Sequence, residues 1–276
     1  MKSTEFIRYN RLPHRWCAGC GYGQVMNSLT KAFEKTGITN ENTVVVSGIG
    51  CWGHVDSYLT TNAFHGTHGR ALAFATGIKL ANPSLNVVVI LGDGDGVTIG
   101  GNHFIQACRR NIDVTAILCN NYNYGMTGGQ YSGTTPEHSY TTTSVYGHIE
   151  PGFDICKLAE GAGAHYVARS ISENVMQTAD YIAEGMQRKG FALIEVVAPC
   201  TTHYGRNNNM KRPSEFYKWI KSCAVPKAAA EKMTEEQLEG KFVIGKFVDR
   251  PGVDYGTKYL EVQKKAQAVA AAKAAE

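Results

Sequence analysis

Residues 86–96 have the sequence NVVVILGDGDG, an apolar run that passes directly into a turn of three glycines and two aspartates. The run from Val87 to Leu91 has no polar alternation, which predicts a strand buried on both faces, as in a parallel sheet. A glycine-rich turn after such a strand usually brings backbone N–H groups close to a phosphate. Asp93 and Asp95 would repel a phosphate, so the turn requires a further component.

The same arrangement of a buried strand followed at once by a short motif recurs along the chain. The strand patterns at 43–47, 114–119 and 191–197 lead into GIGC, NNYNYG and APC. A further strand is predicted at 165–170, and helical patterns occupy 25–36, 70–80, 101–110 and 173–189. Strands that alternate with helices predict an α/β fold with a mostly parallel sheet covered on both faces. Ligands bind beyond the carboxyl ends of such strands, so we expect the motifs to meet at one edge.

A divalent cation explains the two aspartates. Mg²⁺ prefers octahedral oxygen ligands and often bridges protein oxygens to phosphate oxygens. Asp93 follows one predicted strand, and Asn121 follows the next strand along the chain, after the intervening helix. The carbonyl of Asn123 lies two residues beyond Asn121. A nicotinamide-type turn, the competing interpretation, needs a third glycine where the chain has Val97 or Ile99. Two acids in a solvated turn are the remaining alternative.

Four of the eight cysteines fall where they can reach the same edge. Cys17 and Cys20 form a CxxC pair, whereas Cys51 and Cys200 follow strand ends. Four thiolates suit structural zinc or a [4Fe–4S] cluster, and a CxxC pair alone also suits a redox disulfide. A position beside the acidic turn favours the cluster, because an electron acceptor has a reason to lie there. Three cysteines inside helix or strand patterns are interpreted as small buried apolar residues: Cys108, Cys119 and Cys156. Cys223 has no assigned role.

The spacing of GDG (92–94) and NN (120–121) resembles the signature of thiamine diphosphate enzymes. Six stretches together resemble the β subunit of 2-oxoacid:ferredoxin oxidoreductases: WCAGCGYG, SGIGC, HGTHGRALAFATGIKLANP, GDGDGVTIGGNH, RRNIDVTAILCNNYNYGMTGGQYSGTTP and APC. They extend over most of residues 14–201. The resemblance implies a thiamine diphosphate-binding (pyrophosphate-type) fold.

The resemblance also implies which residues hold the cofactors. Mg²⁺ is expected on Asp93, Asn121 and Asn123, and one [4Fe–4S] cluster on Cys17, Cys20, Cys51 and Cys200. Thiamine diphosphate is expected to contact residues at the strand ends: Gly50, Cys51, Trp52, His68, Gly92, Asp93, Gly94, Asp95, Asn121, Asn123, Tyr124, Gly125, Met126 and Thr127. His65, His68 and Arg70 of HGTHGR are expected to face substrate or diphosphate as catalytic residues, with a structural role as the alternative for each.

The implied reaction is the coenzyme A-dependent oxidative decarboxylation of a 2-oxoacid to acyl-CoA and CO₂, with electrons passed through the cluster to ferredoxin; its reversal would fix CO₂. An α subunit is expected to supply the activating glutamate, and additional γ and δ subunits stay open. 2-Oxoglutarate is favoured because ATGIKLANP resembles those enzymes. Trp52, Gly53 and His54 depart from many of them, so pyruvate, branched-chain and aryl 2-oxoacids stay open.

Composition indicates the class of protein and argues against some partners. The 276 residues, 43% hydrophobic and 19% charged, suit one large globular domain. A net charge of +4 without a long Lys/Arg run argues against a nucleic-acid partner. The chain has no stretch of roughly 18 uninterrupted apolar residues and no signal-peptide pattern, so we expect a cytoplasmic protein without a membrane span. The pattern weakens near residue 206, which predicts a cofactor domain at 1–205 and an extension at 206–276 that packs on a partner subunit.

Two other functions compete with this prediction. A non-redox thiamine diphosphate decarboxylase or synthase subunit would share the GDG and NN motifs but would not need four convergent cysteines. A zinc-stapled, non-catalytic binding module would need the cysteines but would not need Asp93 and Asn121.

Overall fold

The computed structural model describes residues 1–275, which build an eight-stranded sheet. The strands are β1 (Thr43–Ser47), β2 (Asn62–His65), β3 (Asn86–Gly92), β4 (Thr115–Asn120), β5 (Tyr166–Ile171), β6 (Ala192–Val197), β7 (Ala224–Pro226) and β8 (Phe242–Asp249). They lie in the order β2-β1-β3-β4-β6-β5-β8-β7. Every neighbouring pair is parallel except β5 with β8. The predicted α/β fold with a mostly parallel sheet is confirmed.

Helices cover both faces of this sheet. Within residues 1–275 the α-helices are α1 (Tyr22–Thr36), α2 (Ala71–Ala81), α3 (Gly101–Arg110), α4 (Ile155–Gly161), α5 (Val175–Gln187), α6 (Tyr204–Asn207), α7 (Pro213–Cys223), α8 (Lys227–Ala230), α9 (Glu235–Leu238) and α10 (Tyr255–Ala275). Short 3₁₀ turns occupy Ser3–Phe6, Tyr9–Arg11 and Trp52–Tyr58, and a π-helical turn spans Gly94–Ile99. The four helices predicted from periodicity correspond to α1, α2, α3 and α5.

The central strands are buried on both faces, as their continuous apolar sequences predict. In β3, Val88 and Ile90 join the core beneath α1 and α5. Val87, Val89 and Leu91 point to the opposite face and join the core beneath α2, α3 and α4. Because successive strand residues alternate between faces, an uninterrupted apolar strand supplies both cores at once.

Helix ends follow the local sequence. α1 ends at Gly37, which adopts the left-handed conformation (φ 68°) that a residue with a Cβ disfavours. α3 ends at Asn111, also left-handed (φ 54°), after Arg109 and Arg110 in its last turn. Cations at that end interact favourably with the helix dipole. These helices return the chain to the edge of the sheet opposite the four motifs, where the next parallel strand begins.

The chain beyond residue 206 is only partly an extension. β8 pairs antiparallel with β5, and β7 pairs with β8, so this segment enlarges the main sheet. Phe216 and Ile220 of α7 pack in a third core cluster with Tyr204. The sequence did not predict β8, because Gly245 (φ 135°) and a register shift interrupt it, and most of its residues are only half-buried.

α10 has no buried residue. Its packing on a partner subunit stays a prediction. Among residues 1–275, no helix is both long enough and apolar enough to cross a membrane.

Candidate functional site

The carboxyl ends of β1, β3 and β4 surround one cavity. It is lined by Gly50, Cys51, Trp52, His68, Gly92, Asp93, Gly94, Asp95, Asn121, Asn123, Tyr124, Gly125, Met126 and Thr127, together with Tyr22 and Ile49. The first fourteen are the residues that the sequence predicts to bind the cofactor. The predicted convergence of strand-end motifs is therefore confirmed as geometry, while the binding roles of these residues stay predictions.

Three oxygen atoms in this cavity face one another. Asn121 Oδ1 lies 3.1 Å from Asp93 Oδ1 and 2.7 Å from the main-chain oxygen of Asn123, and its Nδ2 donates to Tyr22 OH at 2.7 Å. Adjacent ligands of an octahedral Mg²⁺ at about 2.1 Å stand about 3.0 Å apart. With no cation between the oxygens, the amide turned by 180° would donate to both of them. In either orientation the amide of Asn121 lies within 3.1 Å of Asp93 Oδ1 and 2.7 Å of the main-chain oxygen of Asn123, so these groups are close enough to share one octahedral cation, and the donor set fits Mg²⁺.

Asp93 is 2% exposed, and one oxygen of its carboxylate, Oδ2, is held by two hydroxyl groups. Ser132 Oγ and Thr134 Oγ1 donate to Oδ2 at 2.5 and 2.8 Å, which leaves Oδ1 toward Asn121. Burial raises the pKa of Asp93 to about 6, and the two hydroxyl donors oppose that rise. A buried carboxylate without a cationic partner costs free energy, which a bound cation would offset. Ser132 and Thr134 carry no sequence signal beyond their place in a long polar loop.

Asp95 connects three strand-end segments. Its Oδ1 accepts from Gly69 N (2.9 Å) and Ile49 N (3.2 Å) and lies 3.1 Å from His68 Nδ1. Burial raises the pKa of Asp95, and its Oδ2 is buried without a hydrogen-bond partner in the described chain. A Cβ at Gly48 would lie 1.8 Å from that Oδ2, so only glycine fits there. Asp95 therefore positions the His68 ring at the cavity.

Further polar atoms around the cavity have no protein partner. Both side-chain atoms of Asn123 are buried without a hydrogen bond in the described residues. The ring of Tyr124 lies over the acidic turn, where a Cβ at Gly94 would meet it at 2.2 Å. Tyr124 OH donates to Gly94 O at 3.1 Å. Buried polar groups are normally paired, so the free amide of Asn123 fits a polar ligand such as a diphosphate.

The four selected cysteines line a second cavity of about 230 Å³. Cys17 is exposed, Cys20 and Cys51 are half-buried, and Cys200 is buried. Within residues 1–275, no three His, Cys, Asp or Glu side chains converge tightly enough to hold a single metal ion. A zinc ion with Zn–S bonds of about 2.3 Å would require such convergence. Sulfurs that surround a space fit a polynuclear cluster, in which each thiolate binds a different iron.

The thiol pKa values reflect the same arrangement. Burial raises the pKa of Cys20 to about 12, and the neighbouring thiols of Cys200, Cys51 and Cys17 raise it further. The pKa of Cys51 rises to about 11, chiefly through burial and then through Cys200 and Cys17. These thiols are therefore protonated in the metal-free chain, and metal binding must release protons.

The two cavities share a wall. Tyr22, Cys51, Asn121, Gly125 and Met126 line both. A Cβ on Gly125 would lie 3.5 Å from Cys200 Sγ and 3.5 Å from Asn121 Nδ2. The proposed cation ligands and the cysteines are thus separated by about one residue. Tyr22 belongs to the WCAGCGYG stretch, but no ligand signature in that stretch singles out its side chain, so it was not among the predicted site residues.

Two of the three residues that the sequence predicts to be catalytic, His65 and Arg70, line neither of these cavities. His65 Nδ1 lies 2.6 Å from Asp56 Oδ2 and 2.9 Å from Ser47 Oγ, and its ring is half-exposed. Arg70 is exposed, and its guanidinium contacts only the carbonyl of Gly69 at 3.4 Å. His68 alone of the three lines the cofactor cavity. Catalytic roles for His65 and Arg70 stay predictions.

The remaining cysteines behave as the sequence predicts. Cys108, Cys119 and Cys156 are fully buried in the cores. Cys223, which the sequence left unassigned, lies half-buried at the end of α7.

A further cavity of about 770 Å³ contains none of the predicted site residues. Its charged wall is paired internally, since Arg169 Nε donates to Glu195 Oε2 at 2.7 Å and Nη2 contacts Asp154. Asn120 donates to Glu195 at 2.9 Å and accepts from Thr134 Oγ1 at 3.0 Å, linking this network to the loop that anchors Asp93.

Comparison with known proteins finds a matching family, similar sequences and a similar solved structure. Residues 48–196 match the family described as thiamine pyrophosphate enzyme, C-terminal TPP binding domain. The 2-oxoglutarate synthase subunit KorB of Methanocaldococcus jannaschii is 51% identical over 90% of this chain and 92% of that protein. The corresponding subunit of Methanothermobacter marburgensis is 49% identical over 90% of this chain and 87% of that protein. A solved 2-oxoglutarate:ferredoxin oxidoreductase from Magnetococcus marinus, with 2-oxoglutarate, coenzyme A and succinyl-CoA bound, superimposes with a TM-score of 0.85. That chain is 27% identical, and the match covers 97% of this chain and 91% of that one.

Proposed function

Because the chain belongs to the β-subunit family of 2-oxoacid:ferredoxin oxidoreductases, we propose that its complex converts a 2-oxoacid and coenzyme A into acyl-CoA and CO₂ and passes the electrons to ferredoxin. The chain is an oxidoreductase subunit with a thiamine pyrophosphate-binding domain at residues 48–196. Membership of a subunit family implies partner subunits. The α subunit and ferredoxin are the partners that we propose, and the sequence leaves γ and δ subunits open.

One observation carries this proposal: the cation-ligand cavity and the four-cysteine cavity share a wall. A decarboxylase without redox chemistry has no use for thiolates at that wall. A zinc-stapled module has no use for a buried aspartate with a facing amide oxygen and carbonyl. The two features together support a thiamine enzyme whose electrons leave through an iron–sulfur cluster.

In this proposal, Asp93, Asn121 and the carbonyl of Asn123 hold Mg²⁺, to which the cofactor diphosphate is anchored. Ser132 and Thr134 fix the Asp93 carboxylate so that one oxygen stays free for the cation. Thiamine diphosphate, when bound, supplies the carbanion chemistry that breaks the bond to the carboxylate carbon.

His68 is the one residue of the HGTHGR stretch that we place toward the reacting end. Asp95 holds Nδ1, so Nε2 is left to face the cofactor cavity. No glutamate lines this cavity within residues 1–275. That lining supports our proposal that the glutamate that activates the cofactor comes from the partner subunit.

Cys17, Cys20, Cys51 and Cys200 are the proposed ligands of one [4Fe–4S] cluster. The spread of the four sulfurs around a cavity, instead of about a point, supports a cluster over zinc. Iron analysis of protein purified without air would give about four irons per chain for this cluster type. One zinc and no iron would support the binding-module alternative.

2-Oxoglutarate is the substrate that we propose. The support is the identity of 49% to 51% with subunits named 2-oxoglutarate synthase, together with the solved neighbour that holds 2-oxoglutarate and succinyl-CoA. Pyruvate, branched-chain and aryl 2-oxoacids remain the competing substrates.

The decisive experiment is an anaerobic assay of the co-expressed complex against a panel of these 2-oxoacids. Reduction of a viologen is followed with and without coenzyme A. The proposal expects coenzyme A-dependent reduction that is fastest with 2-oxoglutarate. Decarboxylation without viologen reduction would identify the non-redox alternative, and no reaction with any 2-oxoacid in the iron- and thiamine-loaded complex would overturn the proposal.

A further inference from the structure

The four-cysteine cavity opens to solvent on one side. Cys17 is exposed, while Cys200 at the opposite wall is buried. The residues around Cys17 in the chain, from His14 to Gly19, are exposed except for Trp16. Electron transfer slows steeply with distance, so a protein acceptor must approach this opening.

The surface around the opening is basic. Segments 8–22 and 200–214 contain six Arg and Lys residues and no Asp or Glu. Five of these cations have no carboxylate partner among residues 1–275, and the four exposed ones define what we call the cysteine-edge surface: Arg11, Arg15, Arg206 and Lys211. Arg212, by contrast, pairs with Glu215 at 2.7 Å.

The two segments are adjacent in space although they are far apart in the chain. Thr201 Oγ1 donates to the carbonyl of Ala18 at 3.0 Å. A Cβ on Gly19 would lie 2.5 Å from Pro213, so the CxxC loop packs directly on the residue that follows Arg212. Arg15 lines the cysteine cavity itself. The two basic segments therefore meet at the CxxC loop beside the cysteine cavity.

The local charge is high compared with that of the whole chain. The chain carries 28 Lys and Arg against 24 Asp and Glu, a net charge of 28 − 24 = +4. The cysteine-edge surface alone carries four unpaired positive charges, as many as the net charge of the entire chain. A surface of one sign steers an oppositely charged partner and raises its association rate by 10- to about 1,000-fold.

We propose that the cysteine-edge surface is where an acidic protein electron carrier of the ferredoxin class docks. This inference rests on the proposed function, which supplies the electrons. Each oxidised ferredoxin accepts one electron in one encounter, so two leave reduced for every 2-oxoacid decarboxylated. In this proposal Arg11 and Lys211, one from each basic segment, position the carrier by charge.

The test compares two charge-reversed complexes. One carries Arg11→Glu and Lys211→Glu, and the matched control carries Arg109→Glu and Arg110→Glu at the end of α3, at the opposite edge of the sheet. The Kd of an acidic ferredoxin for each loaded complex is measured by isothermal titration calorimetry at low salt and at 1 M salt. A complex with Arg11→Gln and Lys211→Gln provides a milder variant.

At low salt we expect the Kd to rise about tenfold or more for the Glu variant and by a smaller factor for the Gln variant. The control should stay within about twofold. At 1 M salt, where the Debye length is about 3 Å, the difference between complexes should largely disappear. A low-salt Kd within about twofold of the unmodified complex in both variants would overturn the docking surface.

Viologen reduction separates this failure from failure of the proposed function. A small viologen does not need a docking surface. If the unmodified complex reduces viologen with a 2-oxoacid but substitution of Arg11 and Lys211 does not change the Kd of ferredoxin, only the docking surface is wrong. If the unmodified complex reduces no viologen, the proposed function itself is wrong.

Discussion

Replacing Asp93 with Asn should stabilise the cofactor-free chain while removing its response to Mg²⁺ and thiamine diphosphate. Burial raises the pKa of Asp93 to about 6, so the folded chain holds this proton more tightly than the unfolded chain does. The stability that Asp93 contributes is therefore complete below its usual pKa of 3.8 and is lost as the pH rises through about 6. An amide stays neutral, and its oxygen can still accept from Ser132 and Thr134.

The size of the effect follows from the two pKa values. The difference between about 6 and 3.8 corresponds to about 3 kcal/mol once the pH exceeds about 7, and to about 1.5 kcal/mol at pH 5. Asp93 is 2% exposed, so solvent screening reduces this little. For a chain of this size, 1 kcal/mol shifts the melting temperature by about 2 °C. The amount by which the melting temperature of Asp93→Asn exceeds that of the unmodified chain should therefore grow by roughly 3 °C between pH 5 and pH 7.5.

Thermal unfolding in EDTA at both pH values measures this. Asp113→Asn is the matched control, because Lys79 and Lys189 lie 2.9 and 3.0 Å from Asp113 and help to lower its pKa against the opposing effect of burial. A lowered pKa contributes stability above 3.8, so that variant should be destabilised by a similar amount at pH 5 and pH 7.5. Adding Mg²⁺ and thiamine diphosphate should raise the melting temperature of the unmodified chain but not that of Asp93→Asn. The reasoning is refuted if the difference between Asp93→Asn and the unmodified chain does not change with pH.

Two further substitutions test the cysteine site and the buried ion pair. Cys51→Ser should abolish the visible absorption near 400 nm of anaerobically purified protein, as expected for loss of an iron–sulfur cluster, whereas Cys108→Ser in the core should retain it; equal spectra would remove Cys51 from the ligand set. Arg169→Leu leaves the 2%-exposed Glu195 without its cation and should lower the free energy of unfolding in urea by about 3–5 kcal/mol. The double variant Arg169→Met with Glu195→Leu should recover at least half of that loss, and a double variant as unstable as the single one would show that the ion pair itself is not the cause.

Much of the fold follows from local sequence. β3 and its acidic turn, the uninterrupted apolar strands and the helix end at Gly37 obey rules that act over a few residues: side-chain periodicity, burial of apolar surface and the left-handed freedom of glycine. Parallel order then requires the strand-end motifs to meet. For that reason the convergence of the motifs could be predicted, whereas the choice of the fourteen residues around the cavity came from the resemblance to thiamine diphosphate enzymes.

Other features could not be derived in this way. β2 is a four-residue strand whose side chains are all exposed, and β8 is interrupted at Gly245, so neither has a buried periodicity. The hydroxyls of Ser132 and Thr134 reach Asp93 from about 40 residues away along the chain, a pairing that no local pattern encodes.

The sequence by itself determined five of the eight strands, β1, β3, β4, β5 and β6, their alternation with helices and the edge at which the motifs gather. Only the tertiary structure decided that the amide of Asn121 lies against Asp93 and the carbonyl of Asn123, that four cysteines line one cavity, and that the CxxC loop packs against Thr201 and Pro213. The physical reason is that periodicity constrains which face of an element is buried, whereas distances between remote side chains depend on how the whole chain packs.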